Sequence, residues 1–325
     1  MGIYSKTNKI KSRNQILIIL SLASLIFACT TNEQGKGVPE TNREDSQPYI
    51  VDTAGYNTLS KSLTFHASFD NGANADFALG DEKIYSGKTV GDEQKPASYD
   101  VGLGDPPLTI VQGKGKYGSA LEFTKENSHV VFYKAEKNIA YSTKNFSGTL
   151  SFWLKLNPQK IPQTYTDPIQ LTDKDYSNSA IWIDFTKNDT PSDFRLGIFG
   201  EQKIWDKKNQ KGLAEAFFWR LLKIVKPPFS EDKWTHVAVI WEGLNTNKIA
   251  RGKLYFDGVF QGETGGITEP FVWDISEATI RLGTGPFVGM FDEIAIFNRT
   301  LTNDEVSLIY KLKKGVGDLR IGSDL

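Results

Sequence analysis

The chain has 325 residues, with 38 Lys and Arg against 39 Asp and Glu, a formal net charge of −1, and 12% aromatic residues. A chain of this length and apolar content buries a sizeable hydrophobic core. Its charge is balanced and forms no concentrated basic stripe, which excludes the electrostatic footprint typical of nucleic-acid-binding proteins. The sequence therefore indicates a globular protein that has no nucleic acid among its partners.

The first segment predicts export. A basic stretch over residues 6–13 precedes a short apolar run over residues 16–27, which suits the h-region of a signal peptide better than a membrane-spanning helix. Leu25–Cys29 resembles a bacterial lipobox, in which the cysteine receives a lipid. Residues 1–28 are therefore predicted to be a lipoprotein signal peptide. Cys29 becomes the lipidation site of a protein on the outer membrane or cell surface. An ordinary signal peptide followed by an unmodified cysteine is the alternative.

The remaining chain divides into three predicted parts. Residues 29–58 are polar, contain Gly and Pro, and are typical of a tether. Residues 59–314 form the predicted domain, and residues 315–325 a C-terminal tail. Because Cys29 is the single cysteine, no disulfide forms within the chain, and the domain is stabilised by packing.

Short apolar runs, several of them alternating with polar residues, dominate the predicted domain. Such runs without interleaved helices predict an all-β protein in which two antiparallel sheets pack face to face. The predicted strands cover Ser62–Phe69, Ser119–Phe123, His129–Tyr133, Thr149–Leu156, Ala180–Phe185, Phe194–Phe199, Trp234–Trp241, Lys253–Gln261, Thr279–Leu282 and Phe287–Phe297.

Local signals add a tight turn and a helical insertion to this sandwich. Asp257-Gly258 lies between two apolar runs and predicts a two-residue hairpin, because both turn positions need positive φ. Leu213–Val225 carries apolar side chains on one arc and predicts an amphipathic helix within an insertion over residues 200–233.

The end of the chain predicts one more helix. Thr302 and Glu305 have the spacing of a capping box, and Leu301 and Val306 are placed for a hydrophobic staple. A helix should therefore begin here, run to about Lys313, and dock on the sandwich.

Several motifs occur together in a characteristic order, namely Phe65–Asp70, Gly115–Phe123, Leu150–Lys155, Trp234–Ala238, Leu254–Gly258 and Val288–Arg299. Their combination resembles laminin-G-like, concanavalin A-like jelly-roll domains. The resemblance implies a two-sheet antiparallel jelly roll that often carries calcium and often binds carbohydrate or protein.

Asp70 and Asp292 are the candidate metal ligands. Asp70 ends the first predicted strand and Asp292 lies in the last, and in jelly rolls the two chain ends tend to pair in one sheet. Calcium prefers carboxylates supplemented by backbone carbonyls, and the family resemblance supports a structural calcium ion here. Alternatively, Asp70 forms a turn before Asn71-Gly72 and Asp292 belongs to a hydrogen-bond network.

Three tryptophans are the candidate ligand-binding residues. Trp153 and Trp182 alternate with core residues, so their indoles should point away from the space between the sheets, where an exposed ring suits a sugar. Trp219 falls at the edge of the polar side of the predicted insertion helix. The alternative is that Trp153 and Trp182 pack beneath the insertion.

No catalytic residue is assigned. A retaining glycosidase needs two carboxyl groups about 5–5.5 Å apart. The sequence contains neither Glu-x-Asp-x-x-Glu nor the Gly-x-Ser-x-Gly of a serine nucleophile. The predicted function is therefore a lipid-anchored, exported module that binds glycan without cutting it. A structural or adhesion module that binds a cell-surface protein is the first alternative, and a glycoside hydrolase or polysaccharide lyase with scattered catalytic residues is the second.

Overall fold

The computed structural model describes residues 53–88, 98–104, 108–126, 129–161, 164–187, 189 and 191–321. Cys29, the predicted signal peptide and most of the predicted tether lie outside these residues. Within the described ranges, no helix is long and apolar enough to cross a bilayer.

Two antiparallel sheets make up most of the described part of the chain, which confirms the predicted all-β sandwich. The first contains β1 Leu63–Ala67, β2 Phe77–Ala78, β5 Leu108–Val111, β6 Ala120–Phe123, β8 Phe146–Lys155, β13 Thr235–Leu244, β14 Arg251–Phe256, β15 Val259–Glu263 and β17 Gly289–Phe297. The second contains β3 Ile84–Lys88, β4 Asp100–Val101, β7 His129–Lys134, β9 Thr166–Thr172, β10 Ala180–Phe185, β11 Phe194–Phe199, β12 Leu221–Ile224 and β16 Thr279–Thr284.

The core lies between the two sheets and follows the alternation of the sequence. Phe152 and Leu154 of β8 belong, with Ile181 and Ile183 of β10, to one continuous cluster of buried apolar side chains. Because successive side chains of a strand point to opposite faces, their neighbours Trp153 and Trp182 lie on the two outer faces. The structure therefore confirms the prediction that the Trp153 and Trp182 side chains point away from the space between the sheets.

The ends of the domain meet in the first sheet. Strand β1 pairs with β17, with Leu63 opposite Phe297 and Ala67 opposite Ile294. At the other side of this sheet, Asp257 and Gly258 have φ of 49° and 78° and join β14 to β15, as the hairpin prediction requires.

The C-terminal helix α4, Asn303–Lys311, confirms its prediction. The Thr302 side chain accepts a hydrogen bond from the Glu305 N–H, and the Glu305 carboxylate accepts one from the Thr302 N–H, which completes the capping box. Val306 and Ile309 pack on the outer face of the first sheet. This helix therefore covers that face.

The predicted helix over Leu213–Val225 is wrong. The insertion instead contains α2 Gln202–Trp205, a 3-10 turn, α3 Glu215–Phe218 and the strand β12. Without β12, the outer backbone N–H and C=O groups of strand β11 would have no hydrogen-bond partners. Strand β12 pairs with them, with Leu221 opposite Gly197 and Ile224 opposite Phe194. Pairing with an available edge outweighs the helical periodicity.

The domain extends beyond its predicted limits at both ends. Helix α1, Thr53–Ser62, begins inside the predicted tether, and α5, Asp318–Ile321, lies in the predicted tail. Val316 and Leu319 are buried with Leu59 of α1 against the outer face of the first sheet. Both chain ends of the described region therefore join the same cover.

Candidate functional sites

Trp153 lies on the outer face of the first sheet but is only 3% exposed. Helix α4 covers it: the ring centroids of Trp153 and Tyr310 are 5.7 Å apart. Lys116 Nζ lies 4.4 Å from the centroid of the indole. The prediction of a solvent-open indole is wrong here, because the chain's own C-terminal segment occupies the space.

Trp182 lies on the outer face of the second sheet and is also only 3% exposed. Phe199 and Phe217 stack on it, with ring centroids 5.6 Å and 6.1 Å from its own. Its Nε1 donates a hydrogen bond to the Tyr176 carbonyl at 2.7 Å. Packing beneath the insertion, the alternative left open by the sequence, is confirmed for this residue.

Trp219 is 73% exposed and follows α3 directly. A Cβ at Gly265 would lie 1.8 Å from the Trp219 carbonyl oxygen, so Gly265 permits the close approach of this turn. Trp219 thus differs from Trp153 and Trp182 in leaving its ring open to solvent.

One loop, Gly115–Ser119, holds both candidate metal ligands. The Ser119 N–H donates to Asp70 Oδ1 at 2.6 Å, and the Tyr117 N–H donates to Asp292 Oδ2 at 2.9 Å. The loop approaches closely: a Cβ at Gly118 would lie 2.0 Å from Asp70 Oδ1. The structure therefore brings the first and last strands' aspartates to a common loop.

Asp292 is fully buried, and burial raises the pKa of its carboxyl to about 9. Its Oδ1 makes no hydrogen bond to any described residue. Among the described residues, no group of three or more His, Cys, Asp or Glu side chains could hold a metal. Calcium fits here only if backbone carbonyls join the two carboxylates, and the orphaned Oδ1 supplies an oxygen of the required chemistry.

A serine and a histidine come together beneath α4. Ser151 Oγ lies 2.9 Å from His236 Nε2, and both residues are buried. Burial lowers the pKa of His236 to about 4, so its imidazole is neutral at physiological pH. The ring centroid of Trp153 lies 5.2 Å from that of His236, which places this pair in a packed layer.

A row of directly paired residues crosses the outer face of the second sheet. From β10 to β3 the cross-strand partners are, in order, Trp182, Gln170, Arg281, Phe132 and Tyr85. The row begins under the insertion and ends in an aromatic cluster. Its middle is polar: an Arg281 guanidinium nitrogen donates to Gln170 Oε1 at 2.9 Å.

The cluster at the end of this row is the aromatic surface, formed by Tyr85, Tyr99, Phe132 and Lys134. Tyr99 is 45% exposed, and its ring centroid lies 5.3 Å from that of Tyr85 and 5.2 Å from that of Phe132. Lys134 Nζ lies 4.9 Å from the centroid of the Tyr85 ring. A shallow depression of about 30 Å³ beside it is lined by Tyr99, Phe132, Lys134, Thr279 and Arg281.

The opposite part of the same face is charged. Arg195 binds the Asp184 carboxylate with two nitrogens, one of them at 2.8 Å, and its guanidinium lies 4.9 Å from the centroid of the half-exposed Tyr165 ring. Burial, followed by the negative charge of Asp184, raises the pKa of Asp167 well above its usual range. Asp184 is thus committed to Arg195 within the protein.

The sequence contains a signal for the aromatic surface. Phe132 belongs to the predicted strand His129–Tyr133, and its parity, opposite to that of the core residues Val131 and Tyr133, places it on the outer face. Tyr85 lies in the short strand β3, which contains Gly87 and was not predicted. Tyr99 lies in a polar stretch without periodicity, so only the structure brings it to the other two rings.

Two antiparallel sheets, paired chain ends and a C-terminal helix define a jelly-roll domain. A family model described as the concanavalin A-like lectin/glucanases superfamily matches residues 125–307. The chain belongs to this superfamily, as the laminin-G-like motifs imply. No curated protein matches the chain.

Two solved structures illustrate what this chain is similar to. Domain 4 of an extracellular arabinanase from Geobacillus stearothermophilus, solved with arabinotriose, is 19% identical, with 76% of this chain and 97% of that chain covered and a TM-score of 0.47. The receptor-binding domain of botulinum neurotoxin mosaic serotype C/D is 10% identical, with 78% and 51% covered and a TM-score of 0.50. The chain spans about half the length of the neurotoxin domains.

Proposed function

We propose that this protein is an exported, lipid-anchored module that binds carbohydrate through the aromatic surface. The half-exposed Tyr99 ring, supported by Tyr85 and Phe132, is the observation that carries the proposal. A sugar ring presents a face of C–H groups that packs on such a ring, and polar groups beside the ring bind its hydroxyls. Lys134 lines the adjoining depression, and its ammonium group supplies such a polar group.

Membership of a superfamily of lectins and glucanases supports this choice over the alternative of a structural or adhesion module that binds a cell-surface protein. A protein interface would require a larger apolar patch with a polar rim. At the aromatic surface, Tyr85 and Phe132 are largely buried and only Tyr99 projects, which suits one or a few sugar rings.

A glycan array probed with the full chain in detergent tests the proposal. Replacing one stacking ring costs about 0.5–1.5 kcal/mol, so Tyr99→Ala should weaken binding to a retained glycan by about two- to tenfold. Trp219→Ala is the matched control, because Trp219 is the more exposed ring of the two.

Each outcome of this experiment separates the alternatives. Equal loss in both variants, or loss only in Trp219→Ala, would move the ligand site to the insertion. No glycan retention at all, together with binding to a surface protein, would favour an adhesion module. New reducing ends or unsaturated sugars after incubation would favour an enzyme.

The same proposal includes a structural calcium ion held by Asp70, Asp292 and backbone carbonyls of the loop between them. An ion that binds only the folded state stabilises it by about 2.7 kcal/mol at a hundredfold excess over its dissociation constant. Chelation should therefore lower the melting temperature, and Asp70→Asn should remove that difference, whereas the exposed control Asp232→Asn should keep it. A melting temperature that chelation leaves unchanged contradicts the calcium site.

The anchor is proposed at Cys29, on the lipobox-like sequence Leu25–Cys29. A lipid chain partitions into a bilayer, so the wild-type protein should enter the detergent phase of a two-phase separation. Cys29→Ser should shift it to the aqueous phase. If both proteins fractionate alike, the lipid anchor is wrong.

A further inference from the structure

A groove of about 870 Å³ lies on the first sheet, away from the aromatic surface. Its walls come from the start of β8, the end of β13, the start of β14, the end of β15 and the turn that leads into α4. None of the described residues that line it carries an aromatic ring. Any ligand here is therefore bound by charge and hydrogen bonds rather than by stacking. We name it the basic groove.

Cations outnumber carboxylates in the basic groove. The charged side chains that line it are Lys248, Arg251, Lys253, Arg299, Glu242 and Glu263. This positive excess contrasts with the whole chain, whose formal charge is −1. Glu305, which binds Arg299 from outside the lining, reduces this excess to one positive charge, that of Lys248. An anion beside Lys248 therefore gains from the local potential of the groove.

Two of the four cations are already held within the protein. Lys253 Nζ lies 2.8 Å from Glu242 Oε2, and Arg299 binds the Glu305 carboxylate with two nitrogens. These contacts fix the two side chains at the walls. Neither cation needs a ligand to balance its charge.

The other two cations are held less firmly. Lys248 is exposed, and it forms no ion pair with any residue in the described part of the chain. Arg251 Nη1 donates to the Thr264 carbonyl at 3.2 Å and lies 3.4 Å from Glu263 Oε1, and the Arg251 and Glu263 side chains are both more than two-fifths exposed. An exposed pair at this separation contributes little, so a better-placed anion competes for Arg251.

We infer that the basic groove binds an acidic oligosaccharide, with Lys248 and Arg251 contacting its carboxylate or sulfate groups. The forked guanidinium of Arg251 matches the two oxygens of either anion. Asn145 and Asn247, which also line the groove, carry amides that donate to and accept from sugar hydroxyls. This site is separate from the aromatic surface and does not depend on the function proposed for it.

Calorimetric titration of the full chain in detergent with three soluble probes tests the inference. Oligogalacturonate carries carboxylates, dextran sulfate oligomers carry sulfates, and neutral dextran carries neither. At least one acidic probe should bind at least tenfold more tightly than dextran. Its affinity should fall as salt rises from 50 to 500 mM, because salt screens exposed charges.

The double variant Lys248→Ala/Arg251→Gln should lose at least tenfold of this affinity. Lys207→Ala/Lys208→Ala, which removes two exposed lysines of the insertion, should lose less than twofold. Tyr99→Ala should also leave acidic binding unchanged, which separates this site from the aromatic surface. If the double variant fails to fold, Lys248→Gln alone, at an exposed loop position, should still lose at least threefold.

Three results would overturn the inference. The first is that neutral dextran binds as tightly as the acidic probes. The second is that the Lys207→Ala/Lys208→Ala control loses as much affinity as the Lys248→Ala/Arg251→Gln variant. The third is that the protein is retained on anionic phospholipid vesicles but binds none of the acidic oligosaccharides. The last result would assign the cations to a membrane surface.

Discussion

The outer faces of the two sheets are built from similar strands but are covered differently. Helices α1, α4 and α5 cover the first sheet's outer face, with α4 over Trp153, and the basic groove opens beyond these helices. On the second sheet the insertion closes one end over Trp182 and leaves the aromatic surface at the other. The alternation along a strand determines which face of the sheet a side chain lies on. The segments packed over that face determine whether the side chain is exposed to a ligand.

The largest expected effect comes from removing a covered tryptophan. Trp182→Ala should cost about 3–5 kcal/mol of unfolding free energy, because it leaves a cavity between Phe199 and Phe217. Trp153→Ala should cost a similar amount beneath α4. Trp219→Ala, on an exposed ring, should change stability by about 0.5 kcal/mol or less. Urea unfolding with a constant m-value measures all three.

A small loss in either covered variant would contradict the comparison, because it would mean that the cover is loose enough for solvent to replace the indole. Equal losses at all three positions would place Trp219 in a packed layer as well. Ligand binding by the folded Trp182→Ala protein should persist, since its ring lies beneath the insertion rather than on the aromatic surface.

The next largest effect is the pH dependence of stability caused by His236, which lies beneath α4. Burial lowers the pKa of His236 to about 4, whereas an unfolded histidine titrates near 6.5. Between these values the unfolded chain holds a proton that the folded chain does not. The free energy of unfolding is therefore unaffected by this residue above about pH 6.5. It decreases as the pH falls towards 4, by at most about 3 kcal/mol.

Urea unfolding between pH 4 and 7 checks this dependence. His236→Gln should flatten the pH profile relative to the wild type, because it removes the group whose pKa burial lowers. An unchanged slope in His236→Gln would show that solvent reaches the imidazole and that α4 does not seal this layer.

Much of the fold is readable from the sequence because it depends on short-range chemistry. Parity places Trp153 and Trp182, the Asp257-Gly258 turn joins two neighbours, and Thr302 with Glu305 starts α4. Each signal acts within a few residues. The covers depend on contacts between distant segments, which no local pattern encodes.

The candidate sites divide in the same way. Asp70 and Asp292 reach one loop because the ends of the jelly roll pair, which the family motifs imply. Tyr99 reaches Phe132 from a stretch with no periodicity, and Lys248 and Arg251 reach one groove only when the strands are in place. The sequence predicts a helix in the insertion because helical periodicity carries no information about the edge of β11, with which β12 pairs.

The smallest expected effect concerns the N-cap of α4, the helix that covers the outer face of the first sheet. Thr302 caps α4 by accepting from the Glu305 N–H, and Glu305 in turn binds Arg299 at the edge of the basic groove. Thr302→Ala should therefore cost about 1 kcal/mol, the usual value of an N-cap. Thr302→Ser keeps the acceptor oxygen and should recover most of that loss. Hydrogen exchange should show faster opening of α4 in Thr302→Ala, while the strands of the second sheet keep their protection. If both sheets exchange faster together, the cover and the sandwich unfold as one unit, and the contrast between the two faces does not extend to their stability.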